Sequence, residues 1–365
     1  MFGDFYTGKQ VLVTGHTGFK GGWLSLWLGS LGAKVSGYGL PAPTHPNFHE
    51  LIQDGVFSRE FIGDVRDLSC LRSAVERIRP EVVFHLAAQP LVRLSYREPL
   101  ETLSSNVMGT ANLLEAVRQT ECAAAVVIVT SDKCYENRQW VHGYRENDAM
   151  GGHDVYSMSK GAAELVVQSW RRSFFAPNAK LGNVATARGG NVIGGGDYAP
   201  DRLVPDCIRA LLGRQSIAIR NPSATRPWQH VLDCLSGYLW LGSQLARQEK
   251  NSPIADAFNF GPGVQAGMTV VELVEILLKH WPGDYHLAVD ANAPHEAGQL
   301  NLAIDKAAHE LGWHPTWGVE LALKNTAQWY GRRHLDEDQE MARFSLAQIS
   351  QFAEDARSKN ILWTK

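Results

Sequence analysis

Two short stretches carry residue types that can move protons. The first is AAAVVIVTSDKCYE, residues 123–136, where an apolar run from Ala123 to Val129 ends in Thr130, Ser131, Asp132 and Lys133. Such a run reads as a buried strand, so the hydroxyls, the acid and the lysine stand at its mouth. There they could form an ion pair capping the strand, or a pair of proton-handling groups. The second role makes opposite demands. Lys133 must be neutral to act as a base, and Asp132 must hold a proton to act as an acid. Burial and nearby charge can supply both shifts, while the adjacent opposite charges resist them. The second stretch is YSMSK, which sets Tyr156 and Lys160 four apart and so on one helical face. An ammonium beside a phenol favours the phenolate, which predicts a lowered Tyr156 pKa and a base that works near neutrality. Taken alone the spacing is a weak pattern. Its place beyond the Thr130-Ser131 strand gives it weight.

A third stretch concerns phosphate. GHTGFKG sets Gly15, Gly18 and Gly21 three apart, between the strand-like QVLVTG (10–15) and a helix (21–32). Glycines there let the backbone turn sharply and approach a pyrophosphate, whose charge meets the helix N-terminus. A tight turn is the alternative, but the position, first in the chain and between strand and helix, favours a dinucleotide. His16 and Lys20 add bulk and charge beside the phosphates, or serve as loop and first-turn side chains. The end of the second strand, VSGYGL, holds neither an acid for an adenosine ribose nor an arginine for a 2′-phosphate, so this loop does not choose between NAD and NADP. Asp64, in GDVRD, could accept from an adenine amino group or cap a helix.

The elements that must position these groups alternate. Strands are expected at 10–15, 33–39, 58–65, 80–88, 123–131 and 181–190, with helices at 21–32, 68–79, 101–120 and about 155–175. Continuous apolar strands between helical periods predict an α/β fold, a Rossmann-type doubly wound parallel sheet covered on both faces. After Gly190 the texture turns loop-like. The expected organisation is therefore a dinucleotide-binding domain over 1–190 and a smaller mixed α/β substrate domain over 191–330. The second domain is expected to send segments back to the first. A helical extension over 331–365 follows, with Phe344, Ile349 and Phe352 on one face; its partner could be the body or another subunit.

Composition narrows the rest. The chain has 365 residues and a formal charge of −3 without a basic block, which argues against nucleic acid or an anionic membrane as partner. No apolar run approaches the roughly 20 residues of a membrane span, and MFGDFYTGKQ has no signal-peptide core. Five cysteines without CxxC spacing point to reduced thiols in the cytoplasm. They also make zinc an unexpected ligand. The one suggestive pair, His45 and His49 in THPNFHE, has no Cys or His cluster beside it, so no metal is expected. Most of the eleven tryptophans, including Trp23, Trp27 and Trp240, sit where a core role is the better reading.

In order along the chain, GHTGFKG, GDVRD, HLAAQP, NVMGTANLLEA, TSDKCYEN and YSMSK resemble the extended short-chain dehydrogenase/reductases. GNVIGGGDYAPDRLVPD, RPWQHVLD, NFGP, PHEA and LGWHP extend the resemblance across nearly the whole sequence, to the nucleotide-sugar 4,6-dehydratases and most closely those acting on CDP-glucose. The resemblance implies an NAD-dependent lyase that oxidises the sugar at C4, eliminates water across C5 and C6, and returns the hydride to C6. The product would be a 4-keto-6-deoxy sugar for surface polysaccharides such as lipopolysaccharide. It implies Tyr156 as the C4 base, assisted by Lys160, with Ser131 or Thr130 on the same oxygen. Relatives acting on dTDP-glucose carry an Asp-Glu pair at this strand end; here Asp132 becomes the acid for the C6 oxygen and Lys133 the C5 base.

By the same resemblance NAD is held by Gly15, His16, Thr17, Gly18, Phe19, Lys20, Gly21, Asp64, Val65, Leu86, Ala87, Ala88 and Asn106, together with Tyr156 and Lys160. Asn191, Arg226 and Asn259 fall where relatives bind the nucleotide pyrophosphate, Glu296 where they hold the ribose, and Gln89 and Arg93 beside the sugar. Paired outer helices imply a homodimer or a homotetramer built as a dimer of dimers. Three other readings stay open, the first a dehydratase of another nucleotide sugar, dTDP- or GDP-linked. An epimerase on this scaffold needs the ketone but neither the acid nor the second base. A non-enzymatic dinucleotide-sensing protein needs no activated tyrosine.

Overall fold

The computed structural model describes residues 1–250, 252–263, 267–288, 299–335 and 339–365. Its centre is a seven-stranded parallel sheet. Six strands come from the first half: β1 (Gln10–Thr14), β2 (Lys34–Gly39), β3 (Phe57–Ile62), β4 (Val82–His85), β5 (Ala125–Val129) and β6 (Asn183–Gly189). The seventh, Ala257–Phe260, comes from far along the chain and pairs with β6. The spatial order is seventh strand, β6, β5, β4, β1, β2, β3, so the winding reverses between β1 and β4. In such sheets ligands bind at the carboxyl ends of the strands beside that reversal.

Continuous apolar strands make sense here because both faces are covered. Along β1, Val11 and Val13 face one core and Leu12 the other, and all three are fully buried. The Leu12 side is covered by α3 (Leu68–Ile78), α6 (Gly109–Thr120) and α7 (Val155–Trp170) through Leu71, Val75, Leu113, Val117 and Val167. On the Val11 side lie α1 (Phe19–Ser30) and the helix Val231–Arg247. Trp23 and Trp27 of α1 are fully buried, as a core role required.

Two departures from the expected elements follow from packing. The expected helix 101–120 is broken into short helices α4 (Val92–Arg97) and α5 (Pro99–Leu103), a π-helical turn at Ser104–Met108, and α6. A helix α2 (His49–Val56), which the apolar pattern does not predict, precedes β3. Beyond residue 190, Ala257–Phe260 pairs with β6 and Val231–Arg247 packs on the large sheet. What lies outside it is built on two-stranded pairs: Val192–Ile193 with Gln229–His230, Thr225–Pro227 with Gly267–Thr269, and Ile217–Ile219 with Tyr285–Leu287.

The boundary at 331 falls inside a helix, Val319–Leu335, whose Trp329 and Tyr330 are buried. The next helix, Gln339–Ser358, packs on α1 and α2 of its own body. Phe352 meets Trp27 and Trp317 edge-on, at ring separations of 5.8 and 5.0 Å. Trp363 stacks on Phe2 at 5.2 Å, joining the two ends of the described chain.

Candidate active site

The glycine loop lies between β1 and α1, at the carboxyl edge of the sheet. Gly21 is obligatory there: a Cβ on it would fall 2.1 Å from the Gly15 carbonyl oxygen. The turn is closed by Gly18 N–H donating to Gly15 O and by Thr17 Oγ1 donating to Leu40 O at 2.8 Å. α1 begins directly after this turn, at Phe19, so its N-terminus stands at the loop, a cradle suited to a pyrophosphate. Leu86, Ala87 and Ala88 follow β4 beside this loop, with Leu86 N and Ala87 N tied to Thr14. Val65 is buried in the core next to Leu12 and Tyr38. Asp64 accepts from Arg66 at 2.9 Å, which holds its carboxyl below the usual range. The residue that caps α3 is Asp67, not Asp64.

His16 does not face the phosphate side. Its ring is fully buried on the β2–β3 side, against Glu60, His49 and Phe57. Phe19 packs on the core. Lys20, by contrast, is close enough for its charge to help lower the pKa of Lys160.

Asp132 is 1% exposed, which excludes a solvated turn. Ser131 donates to Asp132 Oδ1 at 2.9 Å and accepts from the Lys133 N–H at 3.2 Å. Lys133 Nζ lies 3.7 Å from Asp132 Oδ1, close enough to feel the charge and too far for a hydrogen bond. Its side chain is 27% exposed, so it reaches from the buried acid to the open side of the site. The second acid oxygen, Oδ2, is buried with no hydrogen-bond partner among the described residues. It faces Gly190, where a Cβ would sit only 2.1 Å away. Cys134 is buried, and burial pushes its thiol well above the ordinary range, so it is an inert neighbour.

Tyr156 and Lys160 stand on α7, whose start is fixed by the Asp154 cap on Ser157 N–H and by Tyr156 N–H donating to Ser95 at 3.2 Å. The resting site corrects the expectation of a lowered phenol pKa. Burial pushes Tyr156 up to about 12, with the neighbouring Ser131 hydroxyl and the Arg202 charge pulling down and Asp132 pushing up. Lys160 is itself driven down to about 8, by burial first and by Lys20 second. Burial acts on both members of the pair and opposes both charged forms. Activation of the phenol therefore needs charge beyond what these two residues bring.

Asn106 sits in the π-helical turn, a placement common at functional sites. Its amide donates to the Gln89 carbonyl and to Ser159 Oγ, and accepts from Gln89 N–H. It braces the strand end and α7 together. Gln89 is spent internally, on Leu91 and Thr102. Arg93 lies 3.6 Å from Asp201.

Beneath the site runs a buried network that sequence reasoning missed. Glu164, four residues beyond Lys160, accepts from Thr130 Oγ1 at 2.5 Å, Thr186 at 2.8 Å and both Nε and Nη2 of Arg188. Burial alone would raise the Glu164 carboxyl; Arg188 holds it below its ordinary range. Arg188 also donates to Tyr135, which donates to Asn259 Oδ1, both at 2.7 Å. The Asn259 amide donates to Tyr144 O and Ala303 O, so this fully buried side chain is committed to the protein rather than to a pyrophosphate. The available signals were the i, i+4, i+8 series Tyr156–Lys160–Glu164 and a charged Arg188 inside an apolar strand.

Of the remaining substrate-side residues, Asn191 follows Gly190 with a left-handed φ of 27° and a buried Oδ1 without a partner among the described residues. Arg226 lies on the strand Thr225–Pro227, its Nη1 on Thr225 O at 2.8 Å. Glu296 lies outside the described residues.

Comparison with known proteins bears on this arrangement. The family model described as GDP-mannose 4,6 dehydratase matches residues 12–326. A CDP-glucose 4,6-dehydratase of Salmonella typhimurium is 50% identical over 331 residues, 90% of this chain and 92% of that protein. A dTDP-glucose 4,6-dehydratase of Xanthomonas campestris pv. campestris is 26% identical over 339 residues, 87% of this chain and 92% of that protein. Among solved structures, MoeE5 in complex with UDP-glucose and NAD aligns with a TM-score of 0.72 at 26% identity, over 89% of this chain and 99% of that one. The UDP-glucose 4-epimerase of Thermotoga maritima aligns with a TM-score of 0.77 at 22% identity, over 89% and 99%, a likeness of fold.

Proposed function

The chain belongs to the family of GDP-mannose 4,6-dehydratase, the nucleotide-sugar 4,6-dehydratases, and on that footing we propose that it dehydrates CDP-glucose to the 4-keto-6-deoxy sugar with NAD. Half of all aligned positions are shared with the CDP-glucose enzyme, against a quarter with the dTDP-glucose enzyme, which favours cytidine as the base. One observation of the site carries dehydration over epimerisation. Asp132 is buried beside Ser131 with one oxygen unengaged, and Lys133 reaches past it to the open side. A 4-epimerase has no use for such a pair.

NAD fits the residues present: Gly15, Gly18 and Gly21 form the cradle, α1 presents its N-terminus, and Asn106, Tyr156 and Lys160 stand at the far end. The chemistry supplied by bound NAD is acceptance of the C4 hydride and its return to C6. Tyr156 takes the proton of the C4 hydroxyl, with Ser131 on the same oxygen and Lys160 stabilising the phenolate. Lys133 removes the C5 proton, which the C4 ketone has acidified. Asp132 delivers a proton to the C6 hydroxyl, which leaves as water. A proton returned to C5 completes a net loss of one water.

Arg226 and Asn191 are assigned to the pyrophosphate, since a guanidinium fork and an amide both suit phosphate oxygens. Glu296 keeps its assignment to the ribose, and Arg93 to the sugar. We also place the protein in the cytoplasm, in keeping with five free thiols, at a step supplying deoxysugar for surface polysaccharide. Among the described residues no helix is long and apolar enough to cross a membrane.

The test is an endpoint assay of the purified protein with NAD and, separately, CDP-, dTDP-, GDP- and UDP-glucose, read by mass. Loss of one water from CDP-glucose alone is expected. Loss from another nucleotide sugar corrects the base. A change of stereochemistry without loss of mass sinks the dehydratase reading.

A further inference from the structure

We propose that His16, His49 and Glu60 form a binding site for a divalent transition-metal ion of the zinc class. The three come from separate elements: the loop after β1, the first residue of α2, and β3. Their spacing in sequence gave no hint of a site, and the pair the sequence did suggest is divided by the fold. His45 lies by Glu50, at 3.5 Å, while His49 turns to Glu60.

The geometry converges on one point. His49 Nε2 is 2.6 Å and His16 Nε2 3.0 Å from the same oxygen, Glu60 Oε1. One donor atom from each of the three residues lies within 4.8 Å of the other two. The imidazoles meet edge-on, their centroids 5.3 Å apart at 82°. Phe57 walls the cluster, 5.2 Å from the His16 ring and 5.5 Å from that of His49. The seat is shaped for it: Gly37 lies under His16, and a Cβ there would come within 2.3 Å of the ring.

The donor set decides the class of ion. Two imidazole nitrogens and a carboxylate oxygen are a zinc-type triad that leaves a fourth position for water, whereas calcium and magnesium ask for oxygen alone. His16 is fully buried, His49 side chain 12% and Glu60 31% exposed, so the site has an inner wall and an open side for entry. An ion here would displace the protons now shared with Glu60 and tie the phosphate loop to α2 and β3. The ion is a cross-link rather than a participant in sugar chemistry, because the His16 ring is packed on the β2–β3 side.

The experiment uses untagged full-length protein treated with chelator, then titrated with zinc against a chromophoric competitor and, separately, with cobalt. Expected are one tight equivalent, a visible tetrahedral cobalt band and a raised melting temperature. His49→Ala and Glu60→Gln should each weaken the tight equivalent by at least about tenfold, while His45→Ala leaves it unchanged. Melting of each metal-free variant close to that of the metal-free parent excludes misfolding as the cause of a loss. Absence of a tight equivalent, or one indifferent to both His49→Ala and Glu60→Gln, overturns the proposal and leaves a hydrogen-bonded triad.

Discussion

At the scale of single residues, the site sets a buried carboxyl, Asp132, beside a partly exposed amine, Lys133. Lys133 is the more exposed member, and its removal isolates one step. Lys133→Met should retain C4 oxidation, seen as reduced cofactor, while exchange of the C5 proton with solvent falls by about 100-fold or more. Ordinary exchange in that variant would remove Lys133 from its role. Gly190→Ala tests the acid. The new methyl would sit 2.1 Å from Asp132 Oδ2, so the carboxyl must move. Turnover should drop by about 100-fold with nucleotide-sugar affinity within a few-fold of the parent; a parent-like kcat would mean that Asp132 has freedom the packing does not show. The phenol carries a further lesson. YSMSK foretold a paired Tyr156 and Lys160, which the structure places together on α7, but not the direction of their pKa values. Pair spacing is written in sequence, whereas desolvation is a property of everything packed around the pair.

At the scale of elements, the strand-and-helix alternation was legible because a doubly covered parallel sheet demands long apolar runs, as in QVLVT and AVVIV. The π-helical turn at Ser104–Met108 was not, because an extra residue within a helix leaves the apolar period almost intact. Nor was α2, whose packing depends on Phe48 and Ile52 meeting α1 across the loop. β6 is tied into the site through Arg188. Glu164 and Arg188 are 5% and 3% exposed, and their bidentate pair anchors Thr130 at the end of β5 to α7. Glu164→Ala strands a guanidinium in the core, which costs about 3–5 kcal/mol. A large fall in melting temperature is expected, read by calorimetry. Glu164→Gln keeps the shape and loses the charge, so it should lie between parent and alanine. If the alanine variant melts with the parent, the network is ornamental.

At the scale of the whole molecule, two surfaces matter. The terminal helix Gln339–Ser358 closes on its own body through Phe352 and Trp27, settling one alternative that amphipathicity had left open. The outer faces of α5 and α7 remain uncovered, with Leu100 78%, Leu165 57% and Met158 40% exposed, and Met108 of the intervening π-helical turn 54%. We propose that two copies of the chain would pair through this face: Met158 and Leu165, seven apart on α7, share one stripe. Leu165→Glu should yield monomer in sedimentation, and a parent already monomeric would refute the assignment.

The molecule's response to acid includes two histidines driven far down, one in each half of the chain, with the buried His16 lowered in the same sense. His85 lies between Thr14 and Thr110, and His230 opens the helix Val231–Arg247; burial drives both down to about 3. The unfolded chain takes up these protons below about pH 6.5, while the folded chain refuses them until about pH 3. Their contribution is thus fully present above pH 6.5 and is lost as pH falls towards 3, at about 1.4 kcal/mol per unit for each histidine. Asp233 works in the opposite sense. Burial raises its carboxyl to about 7 against the donated N–H groups of Thr316 and Trp317, so its ionisation lowers stability as pH rises from about 4 to 7. Between pH 4.5 and 6.5 two histidines outweigh one carboxyl, and melting temperature should fall on acidification. Asp233→Asn should steepen that fall by removing the opposing group, whereas His230→Phe should flatten it. A melting temperature level across that window in the parent would mean that the histidines are hydrated in a way that the packing of His230 against Trp23 and Trp317, and of His85 between Thr14 and Thr110, does not suggest.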